Sequence, residues 1–269
     1  MTSARGRLTK DGIRIYQLGD FAGMAEAGRI AAVILDDIIP HIFVGQTTAE
    51  IDRIITEMVT AHGAKSATIG YKGYMHASCI SVNHVVCHGI PSDKKIKDGD
   101  ILNIDVTVII DGWFGDTSRM YVAGKLARKS ERLIEVTHEA LFKGIEAVKP
   151  GNTFGDIGHA IQSFVEGHRM SVVKDFCGHG LGQVFHAPPN VLHYGRAGTG
   201  PVLEEGMFFT IEPMVNLGRS ETKVLADDWT AVTRDKSLSA QFEHSVGVSA
   251  TGVEIFTLSP NNVFHPTYG

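Results

Sequence analysis

ILNIDVTVIIDGWFGDTSRMYV, residues 101–122, decides how the rest of the chain is read. Its first arm places Leu102, Ile104, Val106, Val108 and Ile110 at every second position, the period of a strand with one buried face. Asp111-Gly112 is a strong signal for a two-residue hairpin turn, so Trp113 to Val122 returns as a second strand. Each apolar arm nevertheless carries a carboxylate, Asp105 on the first and Asp116 on the second. With Asp111 and Gly112 as the loop, Asp105 lies opposite Ser118 and Thr107 opposite Asp116. The two carboxylates then share one face as diagonal neighbours, roughly 7 Å apart at the backbone. Two like charges at that spacing are unfavourable unless one is protonated or a cation lies between them. On this stretch alone, a solvated sheet face and a cation site both satisfy the pattern.

The chain has 269 residues, 43% of them hydrophobic, enough for one large domain or two small ones. Its formal net charge of −5 gives no reason to expect nucleic acid, although Arg5, Arg7, Lys10 and Arg14 make a basic start. No apolar stretch of a signal peptide follows them, and no run approaches transmembrane length. The three cysteines, Cys79, Cys87 and Cys177, show no CxxC spacing. That argues against a disulfide framework and a cysteine-rich zinc site, and it fits a reducing cytoplasm.

Comparison of the chain with itself supplies its organisation. GQTTAEIDRIITEMV (45–59) matches GNTFGDIGHAIQSFV (151–165). Thr47-x-x-Glu50 and Thr153-x-x-Asp156 read as helix N-terminal caps, the Glu version as the better capping box. Each leads an amphipathic helix that runs toward Gly63 or Gly167, and apolar helical patterns precede both, around 20–39 and 130–148. DGDILNID (98–105) likewise matches EGMFFTIE (205–212), which sets Asp105 on Glu212. Two matches in order, at nearly the same offset, predict two related halves that each contribute a carboxylate from an equivalent strand.

SAQFEHSVGVS (239–249) reads as one strand, with Phe242, His244, Val246 and Val248 on one face and Glu243 on the other. CGHGLG (177–182) holds His179 between glycines that permit a close approach. The candidate set is therefore Asp105, Asp116, His179, Glu212 and Glu243. Four carboxylates in apolar surroundings carry a charge that two divalent cations neutralise. Oxygen-rich ligation with a single imidazole suits Mn, Fe(II) or Co better than a structural zinc site, with Zn and Ni also compatible.

CHGIP (87–91), NIDVTVIIDGWFGDTSRM (103–120), CGHGLG (177–182), FTIEPM (209–214) and QFEHSV (241–246) resemble, in order, the motifs of the bacterial-type (type I) methionine aminopeptidases of metallopeptidase family M24. The resemblance runs from about residue 10 to 258. It implies an α+β pita-bread fold, with two pseudo-symmetric halves of antiparallel strands flanked by helices, about 11–125 and 126–258. The expected layout is a single catalytic domain over 1–269 with a short N-terminal extension, about 1–10. Of the two metals implied, Asp105 would bind one, Asp116 and Glu243 would bridge both, and His179 and Glu212 would complete the other site. His88 and His186 match the family's substrate-contacting histidines. His186 would hold the scissile carbonyl, Glu212 would also move a proton, and His88 would contact the peptide beyond the scissile bond. Tyr71, Tyr74, Cys79, Phe185 and Trp229 match positions around the methionine side-chain pocket. Asn83, Val85 and Ser239 match a monovalent-cation site.

The activity implied is removal of the initiator methionine from nascent polypeptides whose second residue is small. The resemblance further implies a cytoplasmic monomer working near the ribosome exit region, with no membrane and no specific nucleic acid among its partners. An Xaa-Pro peptidase of the same fold is the nearest enzyme alternative, and a non-catalytic binding module is the alternative of another class. CHGIP and the lack of room for a sizeable N-terminal domain weigh against the first, and the complete ligand set weighs against the second. Thr68 stands where many bacterial members have a pocket cysteine, and Met75-His76-Ala77 replaces a commoner Pro-Lys-Ser. These departures bear on pocket shape and leave the metal ligands intact. Because the chain begins Met1-Thr2, its own Met1 is expected to be removable.

Overall fold

The computed structural model describes residues 5–264, so Met1 and Thr2, with the expected processing of the chain's own start, lie outside the described residues. The predicted hairpin is present as Ile101–Ile110 and Trp113–Val122. Its register pairs Asp105 with Ser118 and Thr107 with Asp116. Asp111 and Gly112 adopt the positive φ values, 49° and 83°, that a tight hairpin turn of this type demands. Lys65–Ser66 and Ser78–Val82 share the other edge of the Ile101–Ile110 strand.

Among the described residues, four α-helices flank the strands: α1 (Phe21–Asp37), α2 (Thr48–Ala61), α3 (Arg128–Glu146) and α4 (Phe154–Gly167). They fall where the amphipathic patterns placed them. Their caps differ from the expected ranking. Asp156 reaches back to accept from the Thr153 N–H at 2.7 Å, whereas Glu50 is drawn to Arg53 at 2.7 and 2.9 Å. An arginine one turn along the helix outcompetes the cap, and Thr47 N–H turns to Gln46 Oε1 instead, at 3.0 Å.

The second half answers the first with an interrupted pair. Phe208–Ile211 pairs with His244–Val248, and Met214–Asn216 pairs with Ser239–Gln241. The register that sets Ile211 opposite His244 resumes with Met214 opposite Gln241, so Glu212 and Glu243 face each other across a gap in the ladder. The 239–249 stretch is thus two strands, not the single strand expected. Pro213 has no N–H to give the ladder. Across the gap the Glu243 N–H goes to the Ser118 carbonyl at 3.0 Å, and the Glu243 carbonyl accepts from Thr117 Oγ1 at 2.6 Å.

The apolar cores divide as the repeat does. One gathers α1, α2 and the first hairpin through Ile34, Ile55, Ile104, Val106 and Tyr121. The other gathers α3, α4 and the second strand pair through Leu141, Ile161, Phe209, Val215 and Val246. An aromatic cluster of Tyr16, Phe21, Trp113, Phe208 and Phe256 takes residues from both. Isolated bridges Thr47–Lys95 and Thr153–Val202 occupy equivalent places at the two helix starts. Among the described residues, no helix is long and apolar enough to cross a membrane.

Candidate active site and metal centre

The two strand pairs meet at one bridge, between Ser118 and Glu243. Pairing therefore runs Asp105–Ser118–Glu243, and Glu212 faces Glu243 across the gap in the ladder, so all four lie on one face of the sheet. Asp116, two residues before Ser118, joins that face. The carboxylate on each arm of the opening hairpin thus belongs to a row completed by the second half. His179 comes from Gly178–Gly180, whose Gly180 pairs with Phe209. Its Nε2 lies 3.4 Å from Asp116 Oδ2 and 3.9 Å from Glu212 Oε1. Ligand atoms of Asp116, His179 and Glu243 all lie within 4.8 Å of one another.

Hydrogen bonds hold the cluster from behind. Thr107 Oγ1 donates to Asp116 at 2.7 Å and Thr210 Oγ1 to Glu212 at 2.9 Å. Gln241 Nε2 donates to the other Glu212 oxygen at 3.2 Å. Glu212 N–H donates to His193 Nε2 at 3.0 Å, so that nitrogen carries no proton. Burial holds His193 down to about 3, which keeps it a neutral acceptor. The hairpin register had placed Thr107 opposite Asp116, but the other three were not singled out from the sequence. Thr107, Thr210 and Gln241 each lie two residues from a candidate carboxylate, so strand alternation carried a signal for them. His193 comes from a separate segment and had none.

Burial and mutual repulsion dominate the electrostatics of the cluster. Burial first, then Asp116 and Glu212, push Asp105 well above the usual carboxylate range. Burial and Asp116 do the same to Glu243. Glu212 is raised by burial, against the pull of His179. Burial opposes the charge of His179, but its contact with Asp116 and the field of Glu212 raise it overall. Asp105 Oδ1 is buried with no hydrogen-bond partner. A buried, unpartnered carboxylate oxygen among other carboxylates fits hard divalent cations and fits poorly with any neutral arrangement.

The cluster forms the floor of a cavity of about 850 Å³. Tyr71, Tyr74, Cys79, His88, Phe185, His186 and Trp229 all line it together with the five candidate ligands. Tyr74 packs on Trp229 with ring centroids 4.9 Å apart, and Tyr71 on Phe185 at 4.9 Å. His186 sits 4.2 Å from the His179 ring. Burial, then the neighbouring His179, hold His186 down to about 4, and burial lowers His88. Both histidines adopt left-handed backbone, with φ of 56° for His88 and 57° for His186. Such conformations cost of order 1 kcal/mol outside glycine and cluster at functional sites. Lys72, Asp175 and Phe176 also line the cavity and were not anticipated.

Asn83, Val85 and Ser239 lie apart from this cavity. The Asn83 carbonyl accepts from Ser239 N–H at 2.9 Å, and the Asn83 side chain donates to Asp100 at 2.7 Å. Ser239 Oγ is buried without a partner. Val85 pairs with Val232 in a neighbouring strand.

The model of metallopeptidase family M24 matches residues 22–250 of this chain. A methionine aminopeptidase of Rickettsia prowazekii is 55% identical over 257 residues, covering 95% of this chain and 99% of that protein. The crystal structure of methionine aminopeptidase from Rickettsia prowazekii superposes with a TM-score of 0.91, covering 91% of this chain and all (100%) of that one. A prolidase from Pyrococcus horikoshii shares the fold alone, at 22% identity and a TM-score of 0.72, with 63% of its longer chain covered.

Proposed function

The chain belongs to metallopeptidase family M24, and since it is a methionine aminopeptidase with the pita-bread fold, we propose how its own residues divide the work of removing N-terminal methionine. Divalent metal use is a property of the family. Asp105, Asp116, His179, Glu212 and Glu243 would hold two such ions, Co, Mn, Fe(II), Zn or Ni. Asp116 and Glu243 would bridge, Asp105 would bind one ion, and His179 and Glu212 the other. Bound there, the ions would supply Lewis acidity and a lowered pKa for water.

The observation that carries the reading is the row Asp105–Ser118–Glu243–Glu212 with Asp116 and His179 beside it. The remaining roles are those the family resemblance implies, and charge and position support them. His186, neutral at working pH, donates its ring N–H to the scissile carbonyl as negative charge develops there. Glu212 accepts the proton released as water attacks and returns it to the departing amine. His88, across the cavity, contacts the peptide beyond the scissile bond. Tyr71, Tyr74, Cys79, Phe185 and Trp229 receive the methionine side chain, whose flexible thioether suits an aromatic pocket.

Nascent protein N-termini are the substrates, and exclusion of bulky second residues is the proposed selectivity. We place the enzyme in the cytoplasm as a monomeric single catalytic domain near the ribosome exit region. A monovalent cation near Asn83, Val85 and Ser239 completes the reading; the unpartnered Ser239 Oγ supports it. The test is elemental analysis of the purified protein, paired with hydrolysis of matched Met-Gly and Xaa-Pro peptides. Two equivalents of metal and cleavage of Met-Gly alone are expected; cleavage of Xaa-Pro alone would refute the assignment.

A further inference from the structure

We propose that Asp52, with His76, forms a positioning pair that sets the shape of the methionine side-chain pocket. The proposal rests on the pocket assignment just given. Asp52 lies on α2, is only 8% exposed, and does not line the cavity. Its Oδ1 accepts from Ala77 N–H at 3.0 Å, Ser78 N–H at 2.9 Å and Ser78 Oγ at 2.8 Å. Its Oδ2 accepts from His76 Nδ1 at 3.0 Å. A carboxylate oxygen only accepts, so Nδ1 carries the ring proton. Three consecutive residues are thus clamped by one side chain on a neighbouring helix.

The clamped residues stand between two pocket groups, Tyr74 before them and Cys79 after. The His76 ring meets Tyr74 edge-on at 5.6 Å, and the Tyr74 hydroxyl donates to the Ser78 carbonyl at 2.9 Å. Thr68 Oγ1 donates to the His76 carbonyl at 2.7 Å. Thr68, one of the departures, therefore ties down the backbone of the other, Met75-His76-Ala77. Together these contacts fix the angle at which Tyr74 meets Trp229.

The internal repeat supplies a second line of argument. In α4 the position matching Asp52 is Gly158, where a Cβ would fall 2.4 Å from the Tyr194 carbonyl oxygen and 2.7 Å from that of Leu192. There the helix touches the segment beside it directly. In the first half that helix position instead carries a carboxylate, which ties residues 76–78 down by hydrogen bonds.

The clamp touches neither the proposed ligands nor the reacting atoms. Its loss therefore falls on binding of the side chain, raising KM with kcat preserved. A looser pocket also discriminates less between side chains differing by small apolar groups, a contrast worth about 10–200-fold in a well-fitted pocket.

The experiment uses the metal-loaded full chain and the variants His76→Ala, His76→Asn, His76→Phe and Asp52→Ala. Each is assayed for kcat and KM on Met-Ala-Ser and Leu-Ala-Ser, and for metal content. His76→Ala should raise KM for the Met peptide about tenfold and narrow the Met-over-Leu preference, with kcat and metal content kept. His76→Asn, whose amide N–H replaces Nδ1, should keep wild-type KM; His76→Phe, a ring with no donor, should follow alanine. Asp52→Ala should exceed His76→Ala in the same direction, and if it fails to fold the His76 series decides. Wild-type KM and preference in His76→Ala would overturn the proposal. So would a Phe variant that behaves as wild type, or a loss confined to kcat and metal. A wild-type enzyme without preference for Met over Leu would overturn the pocket reading itself, and the clamp's role in it.

Discussion

Asp105 is half-buried beside two other carboxylates and keeps one buried oxygen without a partner. Asp105→Asn preserves its size and removes the charge that would hold a metal, so activity should vanish while circular dichroism stays that of the folded protein. Near-normal turnover after metal addition would refute its role as a ligand. An acid held above its ordinary range when folded binds its proton more tightly there than in the unfolded chain. Stability of the metal-free protein therefore falls as pH rises above about 4, the unfolded carboxylate value, and on through the folded one. Metal-free Asp105→Asn should gain Tm over metal-free wild type as pH is raised from about 4 to 8. Comparing the two cancels His186 and His193, which are held down and act in the opposite sense. His186→Ala should lower kcat by roughly 10²–10³-fold, the usual loss of an oxyanion donor, with metal content intact. His193→Ala should weaken metal binding about 10–100-fold, read by calorimetry, whereas His193→Gln keeps an acceptor for Glu212 N–H and should lose less.

Among the elements, α1 and the Trp113–Val122 strand approach each other closely. A Cβ at Gly115 would lie 2.2 Å from the Ala27 carbonyl oxygen, so only glycine lets the helix seat there. Gly115→Ala should cost about 1–3 kcal/mol in urea unfolding, as overpacking does. Because Asp116 is the next residue, metal affinity should fall with it; unchanged stability would mean that the helix can shift freely. Periodicity located the helices and the hairpin because each pattern is local. The break at Glu212 and Glu243 was not legible in that way. It arises where backbone groups of one strand pair are claimed by Ser118 and Thr117 of the other. The cap ranking failed for a similar reason, since Arg53 draws Glu50 from its reciprocal bond.

For the whole molecule, a site built from both halves couples metal binding to folding. Adding metal to the metal-free enzyme should raise Tm with the logarithm of metal concentration above Kd, as linkage requires. A Tm independent of metal would contradict a site formed only by the folded chain. Selectivity is also a property of the assembled cavity. Across Met-Gly, Met-Ala, Met-Thr and Met-Leu peptides, kcat/KM should fall steeply with second-residue size, because exclusion is steric. Equal rates would refute the size gate near His88.

The sequence by itself determined the hairpin and its register, the duplicated helices and the five candidate ligands. Those follow from alternation, a turn signal, a repeat and a set of short motifs, all readable along the chain. Asp105 and Asp116 as face-sharing neighbours needed nothing more than the Asp111-Gly112 turn. Only the tertiary structure decided that the two halves meet at Ser118 and Glu243, which brings Asp105, Glu243 and Glu212 into one row. It alone brought in, from separate segments, His193 against the Glu212 N–H and Asp52 against His76. Pairing between distant segments is set by packing of whole elements, and no local pattern encodes which buried group a distant side chain will meet.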